Sequence, residues 1–298
     1  MSEPARWFGS HSMVAPLERV LMAEPGPELE SADPRVWNYS APIDVCAARN
    51  ESVALQGILR RAGVKVDLLP DARPGLADSV FTHDVSMITR CGAILMRMGK
   101  TLRRDETRLH EMYFRREGIP ILGRIEPPGT VEAGDVVWLD EQTVAAGHGF
   151  RSNASGLEQL AVLLKSAGIS LERYDLPAYG GATGCLHLMS VLNMIDSDLA
   201  LAVTELLPVR LLEQCERRGV RILSAPWSEF VASRSISANV LALAPRALVA
   251  VQGYPQTLAA LEGAGCRVER FAAPNLCVAA EGGPTCLTRP ITRAPVIG

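Results

Sequence analysis

The chain has 298 residues, with 30 Lys and Arg against 33 Asp and Glu, which gives a formal net charge of -3. Apolar residues make up 48% and charged residues 21%, so the chain can bury a sizeable core and is not predominantly disordered. This balance gives no overall attraction to nucleic acid or to an anionic membrane, and we expect neither as a partner.

The N-terminal segment and the cysteines together predict the cellular compartment of the protein. Residues 1–16 lack the apolar segment of a secretory signal, and no long apolar run typical of a membrane span occurs. The 7 cysteines, an odd number, include no CxxC pair that would indicate a zinc ribbon or a redox motif. We therefore expect a cytoplasmic protein with reduced thiols.

One pattern recurs along the chain: apolar residues at helical spacing, then a glycine, then a short run rich in Val, Ile and Leu. It predicts a helix, a left-handed glycine that ends the helix, and a strand. Before Gly168, for example, Leu157, Leu160 and Leu164 would share one helix face. The intervals between the glycines are 55, 50, 51 and 46 residues, and the glycines are Gly63, Gly118, Gly168, Gly219 and Gly265.

Further apolar runs lie between these copies, at 93–96, 136–139, 199–203 and 240–243. Each repeat then holds about one helix and two or three strands, so the predicted fold class is α/β. A single helix–strand unit cannot bury both of its faces, so the units must pack on one another. A closed ring of five units, forming one domain over residues 1–298, suits an odd repeat number. An ordinary α/β sheet is the alternative.

Titratable residues recur at one phase of the repeat, roughly 20 residues after each glycine. They are Asp84, Glu132, His187 and Cys286, whereas the fourth repeat offers the segment 233–239. Equivalent positions of a ring converge on its axis. A nucleophile, a base and two carboxylates would then form one site.

Each of these residues also has a purely structural interpretation. A lone cysteine is most often a small buried hydrophobe, and His187 could be a core histidine in a strand-like run. Asp84 and Glu132 could cap turns. The two glycines before Cys286 would let the backbone approach a ligand closely, which favours a nucleophile there. We expect no metal site, because no partner at ligand spacing accompanies His11, His110 and His148.

Six segments resemble those of the guanidine-modifying enzymes with the pentein fold, which include arginine deiminases, dimethylarginine dimethylaminohydrolases and amidinotransferases. They follow that superfamily's order: 81–84 (FTHD), 103–107 (RRDET), 132–135 (EAGD), 151–153 (RSN), 185–188 (CLHL) and 282–286 (GGPTC). The resemblance implies a five-bladed α/β propeller without a metal or organic cofactor. It also implies that Cys286 is the nucleophile, that His187 is the general acid and base, and that Glu132 and Asp84 bind the guanidinium nitrogens.

Four further residues bear on the substrate through this resemblance. Arg103 and Arg151 look like the arginines that hold a substrate α-carboxylate. Met189 stands where arginine deiminases carry an aspartate, and an apolar side chain there suits an N-alkylated guanidine. His83 stands where deiminases usually have arginine and the dimethylarginine enzymes have an acid. The CLHL segment followed by Ser190 looks like the dimethylarginine hydrolases, whereas the FTHD and GGPTC segments look more like the deiminases, so the subfamily stays open.

The resemblance therefore predicts a hydrolase that cleaves a C–N bond of a substituted guanidine, such as dimethylarginine, through a thiouronium on Cys286. The products would be a citrulline-like ureido compound and an amine. An arginine deiminase or dihydrolase, or an amidinotransferase, is the alternative within the superfamily. A non-catalytic binding or assembly factor is the alternative outside enzymes. The expected partner is a small guanidine, and a homodimer is only the commonest default.

Overall fold

The computed structural model describes residues 8–70, 73–181, 184 and 186–295, so Cys185 of the CLHL segment lies outside the described residues. In chain order the strands are β1 (Leu17–Met22), β2 (Lys65–Leu68), β3 (Ser86–Thr89), β4 (Gly92–Leu95), β5 (Ile121–Arg124), β6 (Val136–Asp140), β7 (Thr143–His148), β8 (Ser170–Asp175), β9 (Leu192–Asp196), β10 (Leu199–Ala202), β11 (Arg221–Ser224), β12 (Val240–Ala244), β13 (Ala247–Val251), β14 (Arg267–Phe271) and β15 (Arg289–Arg293). The α-helices are α1 (Pro27–Glu30), α2 (Pro34–Trp37), α3 (Val45–Arg61), α4 (Glu106–Arg116), α5 (Ala154–Ser166), α6 (Leu188–Val191), α7 (Val209–Arg217), α8 (Trp227–Ala232) and α9 (Pro255–Gly263).

The repeat predicted from the glycines is confirmed. All five repeat glycines have a left-handed backbone, with φ between 68° and 85°. The long helices α3, α4, α5, α7 and α9 end just before them, and the strands β2, β5, β8, β11 and β14 follow them. The four apolar runs between the copies contribute to β4, β6, β10 and β12. Local sequence therefore fixes the secondary structure of each unit.

The strands form small sheets of three, in the orders β15–β1–β2, β3–β4–β5, β6–β7–β8, β9–β10–β11 and β12–β13–β14. In each sheet the first two strands pair antiparallel, and the third pairs parallel with the middle strand. Strand β15 supplies the first strand of the sheet of β1 and β2, with Val20 opposite Pro290. Residues near the two ends of the chain thus share a sheet.

The third strand of each sheet is the least buried of the three. Strands β3 and β15 are buried along their whole length, whereas β2 and β11 are partly exposed. Neighbouring sheets contact one another through their inner strands, as in the pairs β15 and β3, β1 and β12, and β12 and β9. The first strands therefore lie inside the molecule, and the residues that precede them lie near one another.

Hydrophobic cores fill the space between the sheets and their helices. In one of them Leu157, Leu160 and Leu164 of α5 pack with Val144 and Ala146 of β7, as the helical spacing predicted. No helix among the described residues combines the length and the apolar character that crossing a bilayer requires.

Candidate active site

The predicted site residues occupy equivalent places, just before the first strand of each sheet. Asp84 precedes β3, Glu132 precedes β6, His187 precedes α6 and β9, and Cys286 precedes β15. Asn239 immediately precedes β12 and fills the same place in the remaining repeat. The sequence phase pointed to the segment 233–239 but not to Asn239, because an amide is not a titratable group.

A cleft of about 480 Å³ opens beside these positions, a volume that suits a small ligand. Asp84, His187, Asn239 and Cys286 all line it. Its wall also carries the cationic side chains of Arg35, Lys100, Arg103, Arg151 and Arg234 and the aromatic side chains of Trp37, Tyr39, Phe81, Tyr179 and Phe230.

Cys286 lies in the loop that leads into β15, and it is only partly buried. Asn239 Nδ2 donates a hydrogen bond to Cys286 Sγ over 3.3 Å. Asn239 Oδ1 accepts a hydrogen bond from the backbone N–H of Thr285 at 3.1 Å, so the Cys286 loop itself orients the amide. A hydrogen-bond donor at the sulfur stabilises a thiolate there.

The glycine pair before Cys286 makes room for side chains of the cleft wall. A Cβ on Gly283 would lie 2.3 Å from Asn239 Cγ, and a Cβ on Gly282 would lie 2.1 Å from the Phe81 ring. Both glycines also line the cleft, so the close approach of a ligand to this backbone stays a prediction.

His187 is the N-cap of α6, a single helical turn, rather than part of a strand. Its backbone N–H donates to Ser190 Oγ at 3.2 Å, which completes a capping box. The ring Nε2 lies 2.7 Å from Glu132 Oε2, and Nδ1 lies 3.9 Å from Asp84 Oδ1. The carboxylates of Glu132 and Asp84 thus lie on opposite nitrogens of the imidazole.

Asp135 supports the helical turn at His187 through its two carboxylate oxygens. Its Oδ1 accepts the Leu188 backbone N–H at 2.9 Å, and its Oδ2 accepts the Ser152 hydroxyl at 2.6 Å. Burial raises the pKa of Asp135 to about 6, against the opposing charge of His187. Asp135, the second acid of the EAGD segment, therefore supports the turn that carries His187.

Asp84 is almost fully buried at the cleft and stays ionised. Arg103 Nη1 donates to its Oδ2 at 2.7 Å, and the Gly134 backbone N–H donates to its Oδ1 at 3.1 Å. Burial opposes ionisation, but the charges of Arg103 and His187 hold the pKa of Asp84 below its ordinary value. A side chain at 134 would crowd both residues, because a Cβ would lie 2.6 Å from His187 Nδ1 and 2.8 Å from Asp84 Oδ1.

Arg103 is buried, and most of its donors are used inside the protein. Besides Asp84, it donates through Nε and Nη2 to Glu106, at 3.1 and 2.9 Å, and through Nη2 to the Phe81 carbonyl at 2.9 Å. Burial raises the pKa of Glu106 to about 8, although the Arg103 charge opposes this. The sequence assigned Arg103 to a substrate carboxylate, whereas the structure pairs it with carboxylates of the protein.

Glu132 is fully buried beside His187 and is not among the described residues of the cleft wall. Its Oε1 accepts the Lys100 backbone N–H at 3.0 Å, and Arg151 Nη1 lies 3.2 Å from its Oε2. Burial opposes ionisation, but the hydrogen bond from His187 and the Arg151 charge hold the pKa of Glu132 well below its usual range. Glu132 therefore orients His187. Arg151 lines the cleft, and its contact with a substrate carboxylate stays a prediction.

The structure does not bring Met189 and His83 to the cleft. In a helical turn the residues at i and i+3 share a face, so Ser190 joins His187 at the cleft while Met189 packs in the core. The ring Nδ1 of His83 lies 3.0 Å from the Thr288 carbonyl oxygen, and its side chain is buried. Burial, helped by a nearby arginine charge, lowers the pKa of His83 to about 3.

Lys100 holds the segment 34–39 against the cleft. Its Nζ donates to the Trp37 carbonyl at 2.7 Å and to Asp78 Oδ2 at 2.6 Å, and it lies 4.8 Å from the Trp37 ring centroid. Residues 34–39 contribute to the cleft wall in this structure.

Asp84, Glu132 and His187 each offer one ligand atom, and these atoms lie within 4.8 Å of one another. One imidazole and two carboxylates could bind a divalent cation. The expectation of no metal site rested on the spacing of other histidines along the chain, and this set is formed by residues far apart in sequence. Both carboxylates already pair with Arg103 and Arg151, so a cation here would compete with internal ion pairs.

The chain is similar to proteins of one enzyme group. Residues 72–219 match the family model described as arginine deiminase. N(G),N(G)-dimethylarginine dimethylaminohydrolase of Pseudomonas aeruginosa is 30% identical over 226 residues, covering 76% of this chain and 81% of that protein. Arginine deiminase of Listeria innocua is 27% identical and is covered over 62% of its length.

Solved structures show the same similarity. A mutant of dimethylarginine dimethylaminohydrolase from Pseudomonas aeruginosa in complex with citrulline gives a TM-score of 0.73 at 25% identity, over 92% of this chain and 99% of that chain. The amidinotransferase SxtG from Microseira wollei gives 0.79 at 17% identity and covers 98% of each chain, which shows the fold alone.

The mixed α/β fold, built from sheets of three strands, matches the fold of these solved structures. This fold and the relatives define a class of enzymes that modify guanidino groups. The chain belongs to the pentein superfamily of guanidine-modifying enzymes.

Proposed function

We propose that the protein hydrolyses a substituted guanidine of the dimethylarginine type, with Cys286 as the nucleophile. The observation that carries the proposal is that Cys286, His187 and Asp84 come from three repeats and line one cleft. We also propose that the five sheets close into a five-bladed propeller. The contacts of β15 with β3 and of β12 with β1 and β9 support this closure.

The substrate would bind through its charge. A guanidinium is a poor electrophile because its positive charge is spread over three nitrogens. The ionised Asp84 would hold these nitrogens by charge-assisted hydrogen bonds and bring the central carbon near Cys286 Sγ. Arg151 would hold an anionic group at the other end of the substrate.

In the first step the Cys286 thiolate attacks the central carbon, and a sulfur–carbon bond forms. The carbon–nitrogen bond to the departing amine then breaks, and His187 gives its proton to that nitrogen. The central carbon stays on the sulfur as a thiouronium, with the rest of the substrate still attached to it through its remaining nitrogen. Asn239 supports this step by stabilising the thiolate before the attack, and Glu132 keeps the His187 ring in position.

In the second step the neutral His187 removes a proton from water, and the water oxygen attacks the thiouronium carbon. The sulfur–carbon bond breaks, which releases a ureido product and restores the thiolate. An amidinotransferase would differ here, because an acceptor amine would replace water.

The similarity to a dimethylarginine hydrolase over 76% of the chain favours a methylated arginine as substrate. Met189 does not contribute to this choice, because its side chain packs in the core. The matching arginine deiminase model favours free arginine as the second candidate.

The test is an end-point assay of ureido product with arginine, monomethylarginine and asymmetric dimethylarginine, in the absence of any acceptor amine. We expect turnover of the methylated substrates above arginine, loss of turnover in Cys286→Ser, and full activity in Cys91→Ser, which alters an exposed cysteine outside the cleft. Turnover of arginine alone would identify a deiminase. Turnover by Cys286→Ser, or none by a folded wild-type protein, would overturn the proposal.

A further inference from the structure

A second, much smaller cavity, of about 30 Å³, lies among the inner strands. The first strand of every sheet contributes to its wall, through Met87, Val136, Asn193, Val240 and Arg289. A cavity of this size admits about one or two particles as large as water. It is distinct from the cleft, since no residue of the cleft wall lines it among the described residues.

Two arginines of β15 line this cavity, and both are buried. Arg289 and Arg293 each expose only 6% of their surface. Arg293 donates to the carbonyls of Ala15 and Ala242, at 2.5 and 2.9 Å. Among the described residues, Arg289 Nε, Arg289 Nη2 and Arg293 Nε have no hydrogen-bond partner, and neither guanidinium forms an ion pair.

The two guanidinium groups therefore need an anionic partner. An arginine is charged at any ordinary pH, and a buried charge without a counter-charge is costly. Burial lowers the pKa of Arg289 to about 9, and burial together with the charge of Arg289 lowers the pKa of Arg293 to about 9. Asp84 is the acid that acts on Arg289 electrostatically, but Asp84 is already bound to Arg103.

The rest of the cavity wall is suited to an anion and not to a cation. No Asp or Glu is among its described lining residues. Ser12 Oγ accepts the backbone N–H groups of Val14 and Ala15, at 3.1 and 2.9 Å, so its hydroxyl proton can point elsewhere and donate. The buried Asn193 Oδ1, which has no partner among the described residues, could accept from an accompanying water.

We propose that this cavity binds one small monovalent anion of the halide type, held by Arg289 and Arg293. The anion neutralises the charge that β15 carries into the centre of the molecule. It thereby stabilises the junction of the five inner strands. Occupation by water alone is the competing outcome.

The test compares thermal unfolding of the full-length protein in chloride, in bromide and in gluconate, which is too large for the cavity, at equal ionic strength. We expect a saturable rise of the midpoint by roughly 2–4 °C in the halides relative to gluconate. Arg289→Gln should lose this rise. Arg115→Gln, which alters an exposed arginine paired with Glu111, should keep it.

A crystal of the wild-type protein grown in bromide gives a second measurement that does not depend on a variant folding. We expect an anomalous bromine peak within hydrogen-bond distance of Arg289 Nε or Nη2. Equal midpoints in halide and gluconate, a halide-dependent rise that persists in Arg289→Gln, or only water density beside Arg289 would overturn the proposal.

Discussion

Replacing Gly134 with alanine should displace the side chains of His187 and Asp84 without removing any functional group. The added Cβ would lie 2.6 Å from His187 Nδ1 and 2.8 Å from Asp84 Oδ1, whereas ordinary contact begins at 3.4 Å. The two contacts fall short of that distance by about 0.8 and 0.6 Å. The His187 ring, the Asp84 carboxylate or both must therefore move by most of an ångström.

A displacement of about 1 Å in a reacting group can cost roughly 100-fold in rate. We therefore expect kcat of Gly134→Ala to fall by about 30- to 100-fold. Gly134 is not among the described glycines with positive φ, so alanine fits the backbone there. Overpacking should cost about 1–3 kcal/mol of stability, which a protein of this size tolerates.

The assay is steady-state kinetics on the preferred guanidine, with thermal unfolding measured on the same preparations. Gly57→Ala is the matched control, because a Cβ there meets only Arg61 Nη1 at 3.4 Å, on a turn of α3. It should leave kcat unchanged and stabilise the helix by about 0.5–1 kcal/mol. A folded Gly134→Ala enzyme with kcat within about threefold of wild type would refute the reasoning.

Three further predictions concern buried groups. Glu132→Gln should lower kcat/KM by about 100-fold or more, because His187 loses its charged partner. A steady-state kcat/KM within about tenfold of the wild-type value would contradict this. Asn239→Ala should slow alkylation of Cys286 by iodoacetamide at neutral pH by about 10-fold or more, with exposed Cys91 as the internal reference; equal rates would show that the amide does not act on the sulfur. Burial lowers the pKa of His11 from 6.5 to about 4, so the stability it contributes is complete above pH 6.5 and is lost as the pH falls towards 4. Urea unfolding should show a loss of about 2–3 kcal/mol over that range, reduced in His11→Gln; an unchanged pH dependence in this variant would assign the loss to other groups.

The repeat was predictable because its signals are local. A glycine with positive φ ends each helix, and the apolar spacing before it sets the buried helix face, as with Leu160 and Leu164. The same repeat also predicted where Asp84, Glu132 and Cys286 would lie, since equivalent positions of equivalent units precede equivalent strands. The resemblance to the superfamily rested on these positions as well.

The direction in which each side chain points was less predictable. If 185–188 were part of a strand, His187 and Met189 would lie on the same face. The segment instead forms a helical turn, so Ser190 and not Met189 lies beside His187 at the cleft. Arg103 looked available for a substrate, but its bond to Asp84, 19 residues earlier in the chain, becomes apparent only in the tertiary structure. Asn239 gave no titratable signal and was identified by its contact with Cys286.

The sequence by itself determined the helix–glycine–strand unit and the phase of its polar residues, because both depend on interactions between near neighbours in the chain. Only the tertiary structure decided which of those residues share the cleft. It also decided that β15 completes the first sheet and carries Arg289 and Arg293 into the interior. These outcomes depend on contacts between units far apart in sequence, and no local pattern encodes the packing of one sheet against the next.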